Sequence, residues 1–264
     1  MKRPFFSIIT VCFQAESTIE KTMDSVLSQT FRDIEYIIVD GKSTDHTLSL
    51  VQKYQDDSRV EIISEPDKGI YDAMNKGVKR AHGEYVEFLN SGDSFVDKNV
   101  LQKVYEFISS STEELFYGDI VYQQPDGTEC IRKYSRFCSS NFYYLLGDSI
   151  NHQSLFAKRE CFDGQPFDLQ YRIVADRDWL IRMKKQKKSY RYMDILVCNY
   201  SLDSESFSIV NRDAHWKEVD TCIRKYYIMG FPLYYLINAI RHGRYTSQIL
   251  HFLYKIVFIK SIRR

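Results

Sequence analysis

No stretch of this chain reaches the ~18 uninterrupted apolar residues that a membrane span needs. The six cysteines (Cys12, Cys130, Cys138, Cys161, Cys198 and Cys222) include no C-x-x-C pair, so neither a zinc site nor a dithiol redox motif is suggested. Several lie in apolar runs, where a thiol behaves as a small hydrophobe. Reduced thiols in a cytoplasmic protein are the simplest account. There is no excess charge of either sign: the formal net charge is +1, which argues neither for nor against nucleic acid. No internal repeat or low-complexity segment is present. The opening MKRPFFSIITVCF has two basic residues before an apolar run, as a signal peptide does. Pro4 interrupts it early, the run is short, and Gln14, Ala15 and Glu16 follow, so it reads as a buried first strand.

What is there is globular: 44% hydrophobic and 27% charged residues over 264 positions, enough for one large α/β domain or a domain with an appendage. The β-branched run Ile8-Ile9-Thr10-Val11 marks a strand over 6–12. Ser17 can cap a helix over 17–27, with Ile19, Met23, Val26 and Leu27 at helical spacing. Strands follow at 34–39, 60–63 and 85–89, with helices over Leu48 and Val51 and over 70–81; Gly83 suits a helix stop. This alternation, with strands too apolar for one-sided burial, predicts a mostly parallel sheet covered by helices on both faces. Beyond a helix through Val100, Leu101, Val104, Phe107 and Ile108, the runs 115–122 and 129–134 flank Gln124-Pro125-Asp126-Gly127 as a hairpin. A helix starts near Asp176 and a strand covers 189–200, so the second half is mixed.

In such sheets ligands bind beyond the carboxyl ends of the strands. Thr10, Phe13, Asp40 and Asp93 occupy that position, and Asp67, Lys68, Asn75 and Asp176 lie at other strand ends or helix starts. A nucleotide diphosphate site needs an acceptor for a base N–H, a cation near the diphosphate, and a carboxylate for a hard divalent metal. A separate carboxylate can deprotonate an acceptor hydroxyl. Each residue also has a plainer reading as turn, cap or solvated charge.

The ordered set of segments is more specific. Ser7-Ile8-Ile9-Thr10-Val11-Cys12-Phe13-Gln14, then Ser25-Val26-Leu27-Ser28-Gln29-Thr30-Phe31, then Glu35-Tyr36-Ile37-Ile38-Val39-Asp40-Gly41-Lys42-Ser43-Thr44-Asp45, lead to Glu65-Pro66-Asp67-Lys68-Gly69 with Asn75-Lys76-Gly77, and to Phe88-Leu89-Asn90-Ser91-Gly92-Asp93. In this order and spacing the N-terminal half resembles a family-2 glycosyltransferase of the GT-A fold, in particular bacterial enzymes of capsule, exopolysaccharide or O-antigen synthesis. The match is looser beyond Asp97 until Asn151-His152-Gln153 and the Asp176 segment.

The resemblance implies roles. Thr10 and Phe13 would border the nucleotide base, Phe13 by stacking or merely by closing the core below. Asp40 would accept the base N–H. Asp67 and Lys68 would face ribose or diphosphate, and Asn75, Asn90 and Gly92 would line the donor site. Asp93 would hold Mg²⁺ or Mn²⁺; Asn90, Ser91 and Gly92 precede it where the family carries further acids, so the metal would rest on Asp93 and the ligand's phosphates. Asp176 would be the general base of an inverting displacement, with Ala175 in place of the family's Glu, and Asp178 the competitor. His152 would line the acceptor or touch the diphosphate or metal. Trp179, Tyr143 and Tyr144 pack against a sugar or lie in the core.

The expected architecture is a catalytic domain over 1–210, with a nucleotide-sugar half (1–97) and an acceptor half (98–210), then a helical extension over 211–264. The apolar, aromatic and basic stretch of that extension fits a helix on an anionic membrane surface or one packed on protein. The partners expected are a nucleotide diphosphate sugar and a glycan or lipid-linked glycan, with no nucleic acid, in the cytoplasm or peripherally at the inner face of the cell membrane. A catalytically silent nucleotide-sugar binder and a sugar nucleotidyltransferase are the alternatives, since fold does not fix function.

Overall fold

The computed structural model describes residues 3–124, 126–164, 166–201, 211–227 and 234. The first half alternates β1 (Phe6–Cys12), α1 (Ile19–Leu27), β2 (Ile34–Asp40), α2 (Thr47–Gln52), β3 (Val60–Ser64), α3 (Ile70–Arg80) and β4 (Tyr85–Phe88). A short β5 (Ser94–Phe95) and α4 (Val100–Ile108) follow. Strands β3, β2, β1 and β4 lie side by side, all parallel, with Ile9 of β1 opposite Ile37 of β2 and Phe88 of β4. Every residue of β1 is buried, as the unbroken apolar run requires. Helix α3 lies so close across β1 and β2 that a β-carbon at Gly77 would stand 2.5 Å from Ile9 Cγ2 and 3.4 Å from Val39 Cγ2. That close approach accounts for a glycine in a helix interior, where it otherwise costs about 1 kcal/mol.

The second half adds β6 (Leu115–Gln123), β7 (Glu129–Arg132), α5 (Asn141–Leu145), β8 (Leu155–Lys158), α6 (Ala175–Lys185), β9 (Tyr190–Ser201) and α7 (Arg212–Tyr226). Strand β8 runs antiparallel to β4 and to β6, β9 runs parallel to β6 and antiparallel to β5, and β7 closes a hairpin on β6. The parallel block therefore ends at β4, and the seam with the mixed block is β4 against β8. Aromatic side chains fill the interior across this seam: Phe6 meets Phe156 at 5.5 Å and Tyr85 meets Phe116 at 5.9 Å, both edge to face. Trp179 stacks on Phe162 at 4.5 Å, and Tyr144 has no exposed surface, so both belong to the core.

Several local expectations shift. Ser17 does not cap α1; the helix begins at Ile19 after a tight turn in which Thr18 N–H donates to Ala15 O, and the Thr18 hydroxyl meets Ser91 Oγ at 3.0 Å. Gly83 is not a left-handed helix stop. Helix α3 ends at Arg80, and a β-carbon at Gly83 would lie 2.6 Å from Ser7 N and 2.8 Å from Phe6 C, so this glycine exists for close passage against β1. All six cysteines are free, and only Cys130 is exposed.

The boundary drawn at 210 falls just before a helix that is fastened to the body. Helix α7 presents Glu218, whose carboxylate accepts the backbone N–H groups of Arg172 (3.0 Å), Ile173 (2.9 Å) and Val174 (3.2 Å) immediately ahead of α6. The basic and apolar stretch read as a membrane-surface element lies outside the described residues, apart from Tyr234. No helix among the described residues is long and apolar enough to cross a membrane.

Candidate active site

The cleft begins where β1 and β2 end. Asp40, the last residue of β2, is fully buried, and its carboxylate accepts from Ser43 N (3.2 Å) and from Ser64 Oγ on β3 (2.6 Å). Beside it, the Gly41 backbone is pressed against the Asp67 carboxylate and the Phe13 ring; a β-carbon at Gly41 would collide with Asp67 Oδ2 and come within 3.3 Å of Phe13 Cδ2. Asp67 Oδ1 in turn accepts from Gly69 N at 2.8 Å. Phe13, 62% exposed, caps this corner and is free to meet a flat ring. Burial first, then the charges of Asp40, Asp45 and Asp67, push the Cys12 thiol up to about 12, which registers how much negative charge converges here. Lys68 stands exposed at the foot of α3.

Thr10 does not face this corner. It has no exposed surface, and its hydroxyl is spent between Tyr36 Oη (2.9 Å) and Leu89 O (2.6 Å), so it braces β1 between its neighbours. Asn75 is likewise a brace: its amide donates to Phe167 O at 2.9 Å and accepts from Phe167 N at 3.0 Å, pinning a segment ahead of α6 to α3.

Past β4 the chain turns through Asn90, Ser91 and Gly92. Gly92 has φ +98°, a conformation that favours glycine, and its N–H donates to Thr22 Oγ1 at 3.0 Å. The same threonine hydroxyl donates to Asp93 O at 2.7 Å, so α1 fixes the turn from one side. The Asp93 carboxylate is buried and accepts from Ser201 N and Gln153 Nε2, both at 3.2 Å. Burial raises it to about 7, against the opposing pull of the Ser201 N–H, His152, Gln153 and Lys21.

No group of three or more His, Cys, Asp or Glu side chains among the described residues is placed to hold a metal. Asp93 offers one carboxylate, and beside it Gln153 Oε1 is buried without a hydrogen-bond partner. These are hard oxygen donors suited to Mg²⁺ or Mn²⁺, and a diphosphate with waters can complete such a shell.

The opposite wall is built around Asp176 in the first turn of α6. Its Oδ1 accepts from Tyr71 Oη (2.9 Å) and Arg177 N (2.8 Å), and its Oδ2 lies 3.2 Å from His152 Nδ1. His152 Nε2 then lies 2.9 Å from Asn90 Nδ2. His152 stands in the turn just ahead of β8, which antiparallel pairing brings to the carboxyl end of β4. Burial favours the neutral acid at Asp176, but the His152 contact, the Tyr71 hydroxyl and the Arg177 N–H outweigh it, and the carboxyl is held below the ordinary aspartate range. Asp178, two residues on, points elsewhere. It is fully buried and accepts from Arg182 Nε (2.8 Å), Lys225 Nζ (3.0 Å) and Tyr226 Oη (2.8 Å), an ion cluster that joins α6 to α7. As a base candidate it is displaced by this packing, since no face of the carboxylate reaches the cleft.

A continuous line of contacts thus runs from Asp40 and Gly41 through Asp67 and the start of α3 to Tyr71, Asp176, His152 and Asn90, with Asp93 completing the turn. Several of these supports carried no signal in the sequence. Tyr71 was one apolar-face residue of a helix, Gln153 followed a candidate histidine, and Glu218 lay on a helix assigned to the extension. Glu87 is the most unusual. It sits in mid-strand on β4 with no exposed surface, both carboxylate oxygens lack a partner among the described residues, and burial, then Asp93, pushes it well above the usual carboxylate range. A charged residue inside an otherwise apolar strand was the only signal that could have flagged it.

The family model described as "Glycosyl transferase family 2" matches residues 7–217. The chain is 33% identical over 215 residues to a PGL/p-HBAD biosynthesis glycosyltransferase of Mycobacterium tuberculosis, covering 76% of this chain and 78% of that protein. It is 37% identical over 128 residues to the putative teichuronic acid biosynthesis glycosyltransferase TuaG of Bacillus subtilis, about half of each chain (48% and 50%). Among solved structures, S. aureus TarS 1-349 in complex with UDP-GlcNAc superposes with TM-score 0.64 at 18% identity, over 84% of this chain and 67% of that one. The chain spans 66% of the same fragment in another of its structures and 42% of the longer TarS chain. The mannosyltransferase PcManGT from Pyrobaculum calidifontis, in complex with GDP-Man and Mn²⁺, has TM-score 0.64 at 15% identity over 96% of this chain and 79% of that one. At these identities the two structures speak for the GT-A fold.

Proposed function

This chain belongs to glycosyltransferase family 2, and from that membership we propose that it moves one sugar from a nucleotide diphosphate sugar to a hydroxyl of a lipid-linked surface glycan, inverting the anomeric carbon. The observation that carries the reading is the unbroken line of contacts linking Asp40, Asp67, Asp176 and the Asn90–Asp93 turn along the carboxyl ends of β1, β2 and β4. It is supported by the glycan-biosynthesis names of its relatives and by the nucleotide sugars bound in the fold's neighbours.

In this reading Phe13 stacks on the base and Asp40 accepts its ring N–H. Asp67 and Lys68 meet the ribose and diphosphate. A divalent cation, held by Asp93 with the donor's own phosphate oxygens, would neutralise the charge on the departing diphosphate. Asp176 takes the proton of the acceptor hydroxyl as its oxygen bonds to the anomeric carbon from the face opposite the diphosphate, whose C–O bond breaks. Ionised and aimed by three donors, Asp176 suits that task.

The test is a screen of UDP- and GDP-sugars for nucleotide diphosphate release in the presence of a bacterial lipid extract. One donor is expected to react. Asp176→Asn should slow release by at least about 100-fold, the scale of general-base catalysis, and Asp93→Ala should remove its dependence on added Mg²⁺ or Mn²⁺. Full activity in Asp176→Asn would sink the base assignment. Pyrophosphate release from a nucleoside triphosphate and a sugar phosphate would point to a nucleotidyltransferase, and donor binding without turnover to a silent module.

A further inference from the structure

We propose that His152 is the positioning residue for the general base, holding Asp176 so that its Oδ2 faces the acceptor hydroxyl; this rests on the assignment of Asp176 as base. The argument starts from the two carboxylate oxygens. Oδ1 receives two donors, the Tyr71 hydroxyl at 2.9 Å and the Arg177 N–H at 2.8 Å, which fill its two lone-pair directions. Among the described residues Oδ2 has only His152 Nδ1, at 3.2 Å, which leaves one of its directions for a proton from substrate. Tyr71 and Arg177 anchor Oδ1, and His152 is the described contact that sets the direction of Oδ2 itself.

His152 is itself held. Its side chain is 14% exposed, and its far nitrogen, Nε2, lies 2.9 Å from the Asn90 amide. With the amide nitrogen donating, Nε2 accepts and the ring proton sits on Nδ1, where it is given to Asp176. In the opposite amide orientation Nε2–H would donate to the amide oxygen, and Nδ1 would donate to Asp176 only from a doubly protonated ring. Either arrangement sets the ring from the β4 turn, so the segment that carries Asp93 also orients the base on α6. Asn90 Oδ1 is buried without a hydrogen-bond partner among the described residues. The contact joins residues 62 apart on one side and 24 on the other, and it spans the seam between the parallel and mixed parts of the sheet.

The experiment uses the full chain and the diphosphate-release assay with UDP- and GDP-sugars as donor probes. His152→Ala should lower kcat at least about tenfold and leave the donor KM within about twofold. His152→Asn, whose amide nitrogen can stand where Nδ1 stands, should recover most of the loss, and His152→Gln, which mimics Nε2, should not. Adding His152→Ala to Asp176→Asn should slow the enzyme by no more than about twofold further, because the histidine acts through the aspartate. The proposal is overturned if His152→Ala keeps kcat, if the loss falls on the donor KM, if Asn does no better than Gln, or if the two losses multiply. Should His152→Ala fail to fold, the Asn and Gln pair still decides. If Asp176→Asn is crippled while His152→Ala keeps its full kcat, this inference alone fails; if Asp176→Asn is fully active, the base assignment fails with it.

Discussion

Glu87 and Asp176 are both acids largely withdrawn from water, yet they are driven in opposite directions. Glu87 has no hydrogen-bond partner among the described residues, so burial, and then the nearby Asp93 charge, hold it as the neutral acid, well above its usual range. Its native pKa exceeds the unfolded one, so the native state holds a proton that the unfolded chain releases, and stability falls as pH rises above about 4, the ordinary Glu range. Glu87→Gln, close in shape to the neutral acid, should remove that slope and raise the Tm at pH 8 relative to pH 5; a variant no more stable at pH 8 than the parent would refute this. Asp176 is depressed instead, so its charge persists to lower pH than that of a free aspartate. The acid limb of kcat should lie below about pH 4, the ordinary Asp range. Tyr71→Phe, which removes one donor from Oδ1, should move that limb upward in a pH–rate profile.

Helices α6 and α7 act as one unit. Asp178 is the centre of their contact, with Arg182 from its own helix and Lys225 and Tyr226 from α7. Removing one member of a buried ion cluster leaves the others uncompensated and typically costs about 3–5 kcal/mol. Asp178→Ala should therefore destabilise the protein by about that amount in denaturant unfolding, whereas the same change at a catalytic base would spare stability and abolish activity. Glu218 extends the same logic, since α7 grips the three backbone N–H groups that lead into α6 and so helps place Asp176. Between α3 and β4 the decisive feature is space. Gly83→Ala would drive a methyl group into β1 and should cost about 1–3 kcal/mol, the range for overpacking; an unchanged Tm would show that β1 can yield.

For the molecule as a whole, the seam at β4 and β8 is where the proposed site residues meet. In the proposed reading the donor-side residues come from the parallel block and the acceptor-side residues from the mixed block, so a ligand in the cleft would touch both. A bound nucleotide should then stabilise the entire fold: at 100 times its Kd, linkage adds about 2.7 kcal/mol. UDP or GDP with Mg²⁺ should raise the Tm in a thermal shift assay, and equal shifts from UDP, GDP and ATP would argue against a selective base corner at Phe13 and Asp40.

Much of this was legible in the residues. The unbroken β-branched run of β1, the turn acids and the alternation of strand and helix are local properties, and the ordered motifs are a property of the chain itself; together they determined the fold and the family. Asp176 and Asp178 could not be separated that way. They lie two positions apart on one helix, which turns about 100° per residue, so they face different surroundings. Only packing against α7 decided that Asp178 belongs to an ion cluster. Thr10 and Asn75 looked like ligand contacts because they sit near strand ends, and they became braces once Tyr36, Leu89 and Phe167 closed on them. The link from Asn90 through His152 to Asp176 depends on antiparallel pairing between β4 and β8, which no local pattern specifies. Which oxygen of the base stays open is a matter of hydrogen-bond partners drawn from distant segments, and that is settled only when the chain has folded.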